Sequence, residues 1–278
     1  MTISVQTNAS ALVALQNLNK TNDDLANAQN RISTGLSISS AKDNASVWAI
    51  AQGQRADVGS LAAVKASLDR ASSIADVAMT AGSSISDLLN QIKAKVVAAQ
   101  DPSLDSASRA AINTDFKALL RQITDSTTNA QFDGANILDG SISGGIRFLA
   151  NADASSFITL ATQDLSLGGS IITMTANADL LTMTNAAIVL TQIATSIANT
   201  NSALGDLGAQ AKQIEAHNTF IAKLSDVLET GISNLVDADM AKESARLQAL
   251  QVRQQLGVQA LSIANSAPQI ILSLFRGG

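Results

Sequence analysis

An uninterrupted heptad repeat of apolar residues limits what the first half of this chain can fold into. With Leu61 as an a position, all twelve a and d positions as far as Ala99 are apolar or glycine. A period of 3.5 residues places these side chains on one stripe of an α-helix, where a neighbouring helix must cover them. The repeat predicts a single helix from about residue 44 to residue 100, roughly 85 Å long at 1.5 Å per residue.

A second heptad repeat begins at Leu190 and ends at Leu235, and eleven of its fourteen a and d positions are apolar. Two long stripes in one chain predict antiparallel helices that bury a shared seam, which we call the rod seam. Asn218 is one of the polar exceptions, and such a residue often fixes register at some cost in stability. We expect the rod seam to contain Leu61, Val64, Leu68, Ala75, Ile85, Ile92, Leu204, Ile214, Asn218, Ile221 and Leu228.

Between the two repeats, turn residues and short alternating patterns replace the helical period. Asp101-Pro102-Ser103 predicts the end of the first long helix and the start of a shorter one. Six of the 16 glycines then fall between Gly134 and Gly169. This segment predicts short strands, with Gly144-Gly145 and Gly168-Gly169 as hairpin turns.

Both ends of the chain are amphipathic, and neither could bury its apolar stripe alone. Pairing the two ends with each other is the simplest solution. The fold class is therefore mainly α: a long antiparallel, coiled-coil-like helical bundle with paired N- and C-terminal helices and a small central β-hairpin region. We expect the paired helices to present Leu12, Leu15, Leu18, Leu25, Ile32, Leu247, Leu250, Gly257, Leu261, Ile271 and Leu274.

Two glycines occupy seam positions of these predicted helices. Gly82 and Gly257 each cost about 1 kcal/mol of helix stability relative to alanine. We expect such a cost where the backbone of another helix approaches closely.

The composition excludes several classes of function. There is no cysteine, which removes disulfides, thiolate metal sites and cysteine nucleophiles. His217 is the single histidine, and without partner ligands it is predicted to be a packing or surface group. Phosphate-binding glycine motifs are absent, and a net charge of −5 argues against a nucleic-acid partner. We predict no catalytic residues, no cofactor, no metal and no enzyme activity.

Targeting signals of the usual kinds are not expected either. The first basic residue is Lys20, so no basic region precedes an apolar stretch as in a cleavable signal peptide. No run of 18 apolar residues is present, so no membrane-spanning helix is predicted.

Two long motifs near opposite ends of the chain resemble the signatures of bacterial flagellins. Residues 31–45, Arg-Ile-Ser-Thr-Gly-Leu-Ser-Ile-Ser-Ser-Ala-Lys-Asp-Asn-Ala, resemble the N-terminal signature. Residues 234–245, Asn-Leu-Val-Asp-Ala-Asp-Met-Ala-Lys-Glu-Ser-Ala, resemble the C-terminal one, and residues 254–265 and 271–276 agree as well. Trp48 follows the first motif, and we expect it either to fill a bend between helices or to lie at a subunit contact.

The resemblance implies a structural subunit that polymerises into the bacterial flagellar filament, with its paired ends lining the filament core. The long helices would form the next shell outward, and the short middle implies a flagellin without large outer domains. A hook–filament junction protein shares the paired-end scheme and is the alternative. The implied domains are a paired terminal core domain of 1–40 and 237–278, a long-helix rod domain of 41–131 and 178–236, and its β-hairpin region of 132–177.

The resemblance also implies partners and a location. The partners are copies of the chain itself, paralogous flagellins, the filament cap, hook-associated junction proteins, and the flagellar type III export apparatus with a chaperone. No nucleic acid and no membrane is implied. The implied location is the extracellular flagellar filament, which the chain reaches by export in an unfolded state.

Overall fold

The computed structural model describes the backbone of residues 7–276 and the side chains of residues 7–266. Its elements are α1 (Ala9–Thr34), α2 (Ala45–Ala99), α3 (Ser106–Thr128), β1 (Ile146–Leu149), β2 (Phe157–Leu160), α4 (Met183–Val236) and α5 (Met240–Arg276). The long helices and the small antiparallel sheet confirm the predicted mainly α fold class.

The chain divides into two compact units, each built from parts distant in sequence. We call Met1–Ala56 with Val227–Gly278 the terminal unit, and Asp57–Asp226 the central unit. The terminal unit contains α1 and α5, whereas the central unit contains α3 and the two strands.

Side-chain oxygens cap the first turns of α1, α2 and α5. The Asn8 side chain accepts a hydrogen bond from the Ala11 N–H (3.0 Å), and Asn44 accepts one from the Val47 N–H (3.2 Å). Asp239 accepts from the N–H groups of Ala241 and Lys242 at 3.0 and 3.1 Å. Each cap satisfies donors that a helix start leaves without a partner, which fixes where α1, α2 and α5 begin.

The first heptad repeat is buried along its whole length in the central unit. Because every a and d position of α2 is covered, the prediction of one apolar stripe on one long helix is confirmed. The buried positions are Leu61, Val64, Leu68, Ala71, Ala75, Ala78, Gly82, Ile85, Leu89, Ile92, Val96 and Ala99.

The buried face of α4 is rotated about the helix axis relative to the predicted stripe of a and d positions. On α4 the d positions Ile193, Thr200, Leu207, Ile214 and Ile221 are buried, but the a positions Leu204 and Asn218 are only half-buried, as is the d position Leu228. Ser196 and Ala203, each one residue before an a position, are buried instead. A heptad pattern predicts the face that one neighbouring helix covers. The buried face is rotated because α4 also packs against residues 150–173.

Polar side chains on this rotated face of α4 bind the backbone of the neighbouring segment. Ser196 accepts a hydrogen bond from the Thr173 N–H (3.1 Å), and Gln210 accepts one from the Ala161 N–H (2.6 Å). His217 Nε2 lies 2.7 Å from the Ala150 carbonyl oxygen. These bonds satisfy backbone groups of a segment with little regular structure of its own.

The central parts of α2 and α4 run antiparallel in a defined register. Asn218 donates a hydrogen bond to Asp69 (2.6 Å), and Ser86 donates one to Asn201 (3.3 Å). Between these pairs, a Cβ atom placed on Gly82 would lie 2.5 Å from Leu204 Cδ2. The expectation that Gly82 meets another backbone is therefore wrong, because the missing side chain makes room for the Leu204 side chain.

A buried arginine closes the break between α2 and α3. The Arg109 guanidinium donates hydrogen bonds to the carbonyl oxygens of Ala99 and Asp101, at the end of α2. Asp105 caps α3 by accepting from the Ser108 N–H at 2.7 Å. The predicted break is confirmed. It is stabilised mainly by the Arg109 cation at the C-terminal end of α2, where the helix dipole favours positive charge.

The hairpin is confirmed, but the glycine pairs do not form its turn. Strand β1 pairs with β2 from Ile146 opposite Leu160 to Leu149 opposite Phe157, so the turn is residues 150–156. There the Asp153 carboxylate accepts from the N–H and hydroxyl of Ser155. Gly144-Gly145 instead precedes β1. A Cβ on Gly145 would lie 2.6 Å from the Leu160 carbonyl oxygen, so this glycine allows the strands to approach. Gly168-Gly169 lies beyond β2.

We predict that Gly82→Leu destabilises the central unit. The added side chain would collide with Leu204, and overpacking of this kind costs about 1–3 kcal/mol. Gly205 is exposed on α4, and a Cβ there meets nothing within 4 Å, so Gly205→Leu should stabilise by roughly 0.5–1 kcal/mol. Urea unfolding of the two monomeric variants measures both changes. An unchanged free energy of unfolding in Gly82→Leu would show that the register does not depend on this contact.

The turn before α2 depends on one exposed carboxylate. Asp43 Oδ2 accepts hydrogen bonds from the N–H and hydroxyl groups of Ser39 and Ser40, at 2.9–3.1 Å. The Ser40 N–H makes the largest contribution to lowering the Asp43 pKa from 3.8, and Ser39 adds to it. Hydrogen bonds to the charged form stabilise that form.

We predict that this turn loses order in acid. Because the folded-state pKa of Asp43 is lowered, its stabilisation is fully present above pH 3.8 and disappears as the pH falls through the folded-state value. An NMR pH titration of the Ser39 and Ser40 amide signals should show a midpoint below 3.8. The Asp43→Asn variant should show no such transition. A midpoint at or above the ordinary value would contradict the arrangement.

Candidate functional site: the paired terminal helices

Helices α1 and α5 pack against each other in the terminal unit. Asn8 donates a hydrogen bond to the Ala264 carbonyl oxygen (2.7 Å), and Gln254 donates one to Asn22 (2.8 Å). These two contacts lie at well-separated points on both helices, so the pair is antiparallel over most of α1. The predicted pairing of the chain ends is confirmed.

An ion pair closes the other end of the same helix pair. Arg31 Nη1 lies 3.1 Å from Glu243 Oε1, and Glu243 is only 7% exposed. A largely buried carboxylate needs a partner of this kind, because removing the cation would leave its charge uncompensated. Arg31 and Glu243 belong to the two sequence motifs, which the fold brings into direct contact.

The same region joins the segments that precede α2 and α5. Leu36 and Asp237 form an isolated antiparallel bridge, with the Ser37 N–H donating to the Val236 carbonyl oxygen at 2.7 Å. The Ala238 N–H donates to the Gly35 carbonyl oxygen at 2.8 Å. Gly35 has a φ of +72°, which glycine adopts without strain and which ends α1.

Gly257 allows the close approach that was expected of it. A Cβ atom on this residue would lie 3.2 Å from Leu18 Cδ1 and 4.0 Å from the Leu18 Cα atom. The glycine therefore brings α5 against the side chain and backbone of α1. A large side chain at this position would force the two helices apart.

One copy of the chain covers only part of the expected terminal core. Leu250 is only 4% exposed, so it is already buried within one subunit. Leu12 and Leu15 are 53% and 42% exposed. The remaining described members of the set, Leu18, Leu25, Ile32, Leu247 and Leu261, are half-buried. Ile271 and Leu274 lie outside the described side chains.

A further group of exposed apolar residues lies outside the stripes that the sequence pattern identified. Val13 on α1 is 57% exposed. On α5, Val252, Leu256, Val258 and Ile263 are 53–70% exposed. Three of them, at positions 252, 256 and 263, are separated by four and seven residues, which places them on one face of the helix. That spacing is a sequence signal for a second apolar face on α5.

The single histidine and the acidic residues of the described chain were the candidates for a metal site. His217 makes its bond to Ala150 and lies 5.8 Å, centroid to centroid, from the Phe220 ring, as expected of a packing residue. Within residues 7–266 no group of three or more histidine, aspartate or glutamate side chains could hold a metal ion. None of the described helices is both long enough and apolar enough to cross a membrane.

Trp48 begins the second turn of α2 and is half-buried. Its backbone N–H donates to the Asn44 carbonyl oxygen at 3.0 Å. Partial burial is compatible with both expected roles, so the choice between a bend filler and a subunit contact stays open.

Two family models match the helical parts of the chain. The bacterial flagellin N-terminal helical region matches residues 5–143, and the bacterial flagellin C-terminal helical region matches residues 190–275. Flagellin FljJ of Caulobacter vibrioides is 55% identical over 280 residues, with 100% of both chains covered. A flagellin of Brucella melitensis is 40% identical over 283 residues, with 99% of each chain covered.

A solved structure shares the fold at much lower sequence identity. It is described as a flagellar hook-associated protein from Vibrio parahaemolyticus, with a TM-score of 0.54 and 13% identity. The match covers 70% of this chain and all of that one. With family models over both helical halves and relatives matched along their full length, the chain belongs to the bacterial flagellin family and is a structural subunit of the flagellar filament.

Proposed function

We propose that this flagellin polymerises through the faces of α1 and α5 that a single copy leaves exposed. One observation carries the proposal: eight large apolar side chains among the described residues of this helix pair are 42–70% exposed. Monomeric proteins rarely expose contiguous apolar patches of more than a few hundred Å², and larger ones mark contacts with other molecules. The eight residues are Leu12, Val13, Leu15, Met240, Val252, Leu256, Val258 and Ile263.

Burial of these side chains would dominate the energy of assembly. Each one transferred fully from water is worth about 1.5–3 kcal/mol. An exposed salt bridge contributes only about 0–1 kcal/mol, and the Arg31–Glu243 pair is already made within one chain. Burial of apolar surface is therefore the main driving force for polymerisation. Charged residues act mainly on the relative orientation of the subunits.

The implied domain roles follow from the same helices. Residues 1–40 with 237–278 form the polymerising core, residues 41–131 with 178–236 form the rod domain, and residues 132–177 form its hairpin region. Support comes from the two helix breaks, residues 35–44 and 237–239, which lie next to the proposed boundaries and are bridged to each other. The rod-seam residues then act within one subunit, since those on α2 are buried there.

The remaining assignments follow from family membership. The chain is a non-enzymatic subunit of an extracellular filament, which it shares with paralogous flagellins. It is exported unfolded with the help of a chaperone, and it meets hook-associated junction proteins and the filament cap. The hook–filament junction role is less well supported, because the relatives matched over their full length are named flagellins, whereas the hook-associated structure shares only the fold.

Electron microscopy of the purified protein tests the proposed function at its simplest. Seeded or salt-induced polymerisation of the full chain should give long filaments of uniform diameter. A protein that stays monomeric or forms only short caps on hook fragments would contradict the assignment and favour the junction role.

We predict that shortening Ile263 raises the critical concentration for polymerisation in proportion to the apolar surface removed. Ile263 is 70% exposed in one copy, so its replacement should leave the monomer fold intact. Ile263→Val removes one methylene, about 0.8 kcal/mol, and should raise the critical concentration about fourfold. Ile263→Ser should raise it about ten- to hundredfold. Sedimentation at a series of protein concentrations measures both, and equal values for all three proteins would count against burial of this residue.

We also predict that Gly257→Leu blocks polymerisation while the central unit keeps its helices. The new side chain would displace Leu18 and separate α5 from α1, which disrupts the surface that the two helices build together. Gly205→Leu, at an open site on α4, is the matched control and should polymerise normally. Circular dichroism follows the helices, and microscopy follows the filaments. Filaments of normal length from Gly257→Leu would show that close pairing of the terminal helices is dispensable.

A further inference from the structure

The segment between α3 and β1 contains two Asp-Gly dipeptides, at residues 133–134 and 139–140. An Asp-Gly bond is prone to an intramolecular reaction, because glycine has no side chain to keep its backbone nitrogen away from the aspartate carboxyl carbon. Each dipeptide follows a large apolar residue and precedes a small one. A difference in their reactivity therefore has to come from the fold.

The first dipeptide forms the tip of an exposed hairpin loop. Phe132 and Ala135 exchange two backbone hydrogen bonds, each 3.0 Å long, in an isolated antiparallel bridge. Between them, Asp133 and Gly134 have φ values of +51° and +76°, the pattern of the tight turns that Asp-Gly favours. Both residues are exposed, and a Cβ atom on Gly134 would meet nothing within 4 Å. Nothing near the loop obstructs the closure of a ring.

Few contacts hold this dipeptide in place. The Asp133 carboxylate lies 3.6 Å from Arg70 in an exposed ion pair, which restrains a side chain only weakly. Among the hydrogen bonds of the described residues, none uses the Gly134 N–H. The positive φ of Asp133 is also uncommon for a residue with a side chain. The nitrogen and the carboxyl group are therefore both free to leave the turn conformation.

The second dipeptide is held more firmly. The Asp139 carboxylate accepts hydrogen bonds from the Ser141 N–H (2.9 Å) and from the Ser141 hydroxyl (2.5 Å). A Cβ atom on Gly140 would lie 3.1 Å from the Asp164 carboxylate, so a second carboxylate crowds the backbone at this point. The same reaction at Asp139 requires both hydrogen bonds to break first.

We propose that Asp133 is a site of spontaneous isomerisation to isoaspartate, and that the fold protects Asp139 from this reaction. In the first step the Gly134 nitrogen forms a bond to Asp133 Cγ. The N–H hydrogen leaves together with the hydroxyl of the protonated carboxyl group as one water molecule. The product is a cyclic succinimide that joins the two residues.

Water then opens the succinimide at one of its two carbonyl carbons. Attack at Cγ restores aspartate. Attack at the backbone carbonyl carbon of Asp133 breaks its bond to the Gly134 nitrogen, so Gly134 stays attached through the former side chain and a backbone carboxylate is released. One water leaves and one returns, so the reaction needs no oxidant, enzyme or cofactor. The product accumulates with the age of the protein, whether or not the chain polymerises.

Isomerisation would remodel the loop without unfolding the central unit. Isoaspartate adds one methylene carbon to the main chain, so the loop no longer allows Phe132 and Ala135 to exchange both hydrogen bonds. The carboxylate also moves away from its present place beside Arg70. The next residues are anchored, because Asn136 is buried and donates to the Thr127 carbonyl oxygen at 2.8 Å. This anchor confines the change to the exposed loop.

Mass spectrometry of the folded, full-length monomer tests the proposal. Trypsin cleaves after Arg121 and Arg147, which places both dipeptides on one peptide, and electron-transfer fragmentation distinguishes isoaspartate from aspartate at each position. During prolonged incubation at mildly acidic pH, we expect isoaspartate to form about tenfold faster at Asp133 than at Asp139, whose two hydrogen bonds must break. Equal rates, or a faster reaction at Asp139, would overturn the proposal.

The same protein unfolded in urea separates the effect of the fold from that of the local sequence. Both dipeptides should then react at similar rates, because the Ser141 hydrogen bonds and the crowding beside Gly140 are lost. A preference for Asp133 that persists undiminished in urea would show that the fold does not protect Asp139.

Matched variants assign the reaction to single residues. Asp133→Glu keeps the negative charge but requires a larger ring, so it should abolish the product at position 133. Asp139→Glu makes the same change at the protected site and should leave the Asp133 rate unchanged. Ser141→Ala removes the hydroxyl donor to Asp139 and should accelerate isomerisation there severalfold. An unchanged Asp139 rate in Ser141→Ala would contradict the protection assigned to that hydrogen bond.

An isoaspartyl methyltransferase provides a second readout, because it transfers a labelled methyl group to the isomerised carboxylate only. Aged wild-type protein and aged Asp139→Glu should both accept label, whereas aged Asp133→Glu should accept very little. Label that is lost in Asp139→Glu but retained in Asp133→Glu would place the reaction at the other dipeptide and refute the proposal.

Discussion

The need of thin helices to cover their apolar stripes governs this protein at every level. A single helix has too little width to bury a stripe by itself, so each long segment depends on a neighbour. In the central unit the α2 stripe is fully buried within one chain. In the terminal unit the pairing of α1 with α5 leaves several large apolar residues exposed. This difference is the basis of the proposal that α1 and α5 complete their burial between subunits.

Local polar contacts determine how the helices begin, end and align. The buried Arg109 binds the last carbonyls of α2, and Arg31 pairs with the buried Glu243 where the two signature motifs meet. Gly82 and Gly257 fix relative positions in another way, by making room for Leu204 and Leu18. Such contacts add little net energy to apolar burial, but they select one register among several that the heptads would tolerate.

The long helices, their breaks and the pairing of the chain ends could be predicted from the sequence, because periodicity and caps are local signals. The rotation of the α4 stripe could not, since it depends on the segment of residues 150–173 packing alongside. The glycine pairs predict the hairpin turn in the wrong place, because Asp153 and Ser155 form the turn through side-chain hydrogen bonds. The exposed face of α5 at Val252, Leu256 and Ile263 lies outside the single apolar stripe that the sequence pattern predicts for this helix.

Hydrogen exchange of the same protein as monomer and as filament tests the central claim most directly. If α1 and α5 complete their burial only between subunits, their amides should exchange much faster in the monomer than in the filament. Amides of the buried α2 stripe in the central unit should be protected in both states. Equal protection of α1 and α5 in a verified monomer and in the filament would contradict the account, because the terminal helices would then be stable without neighbours.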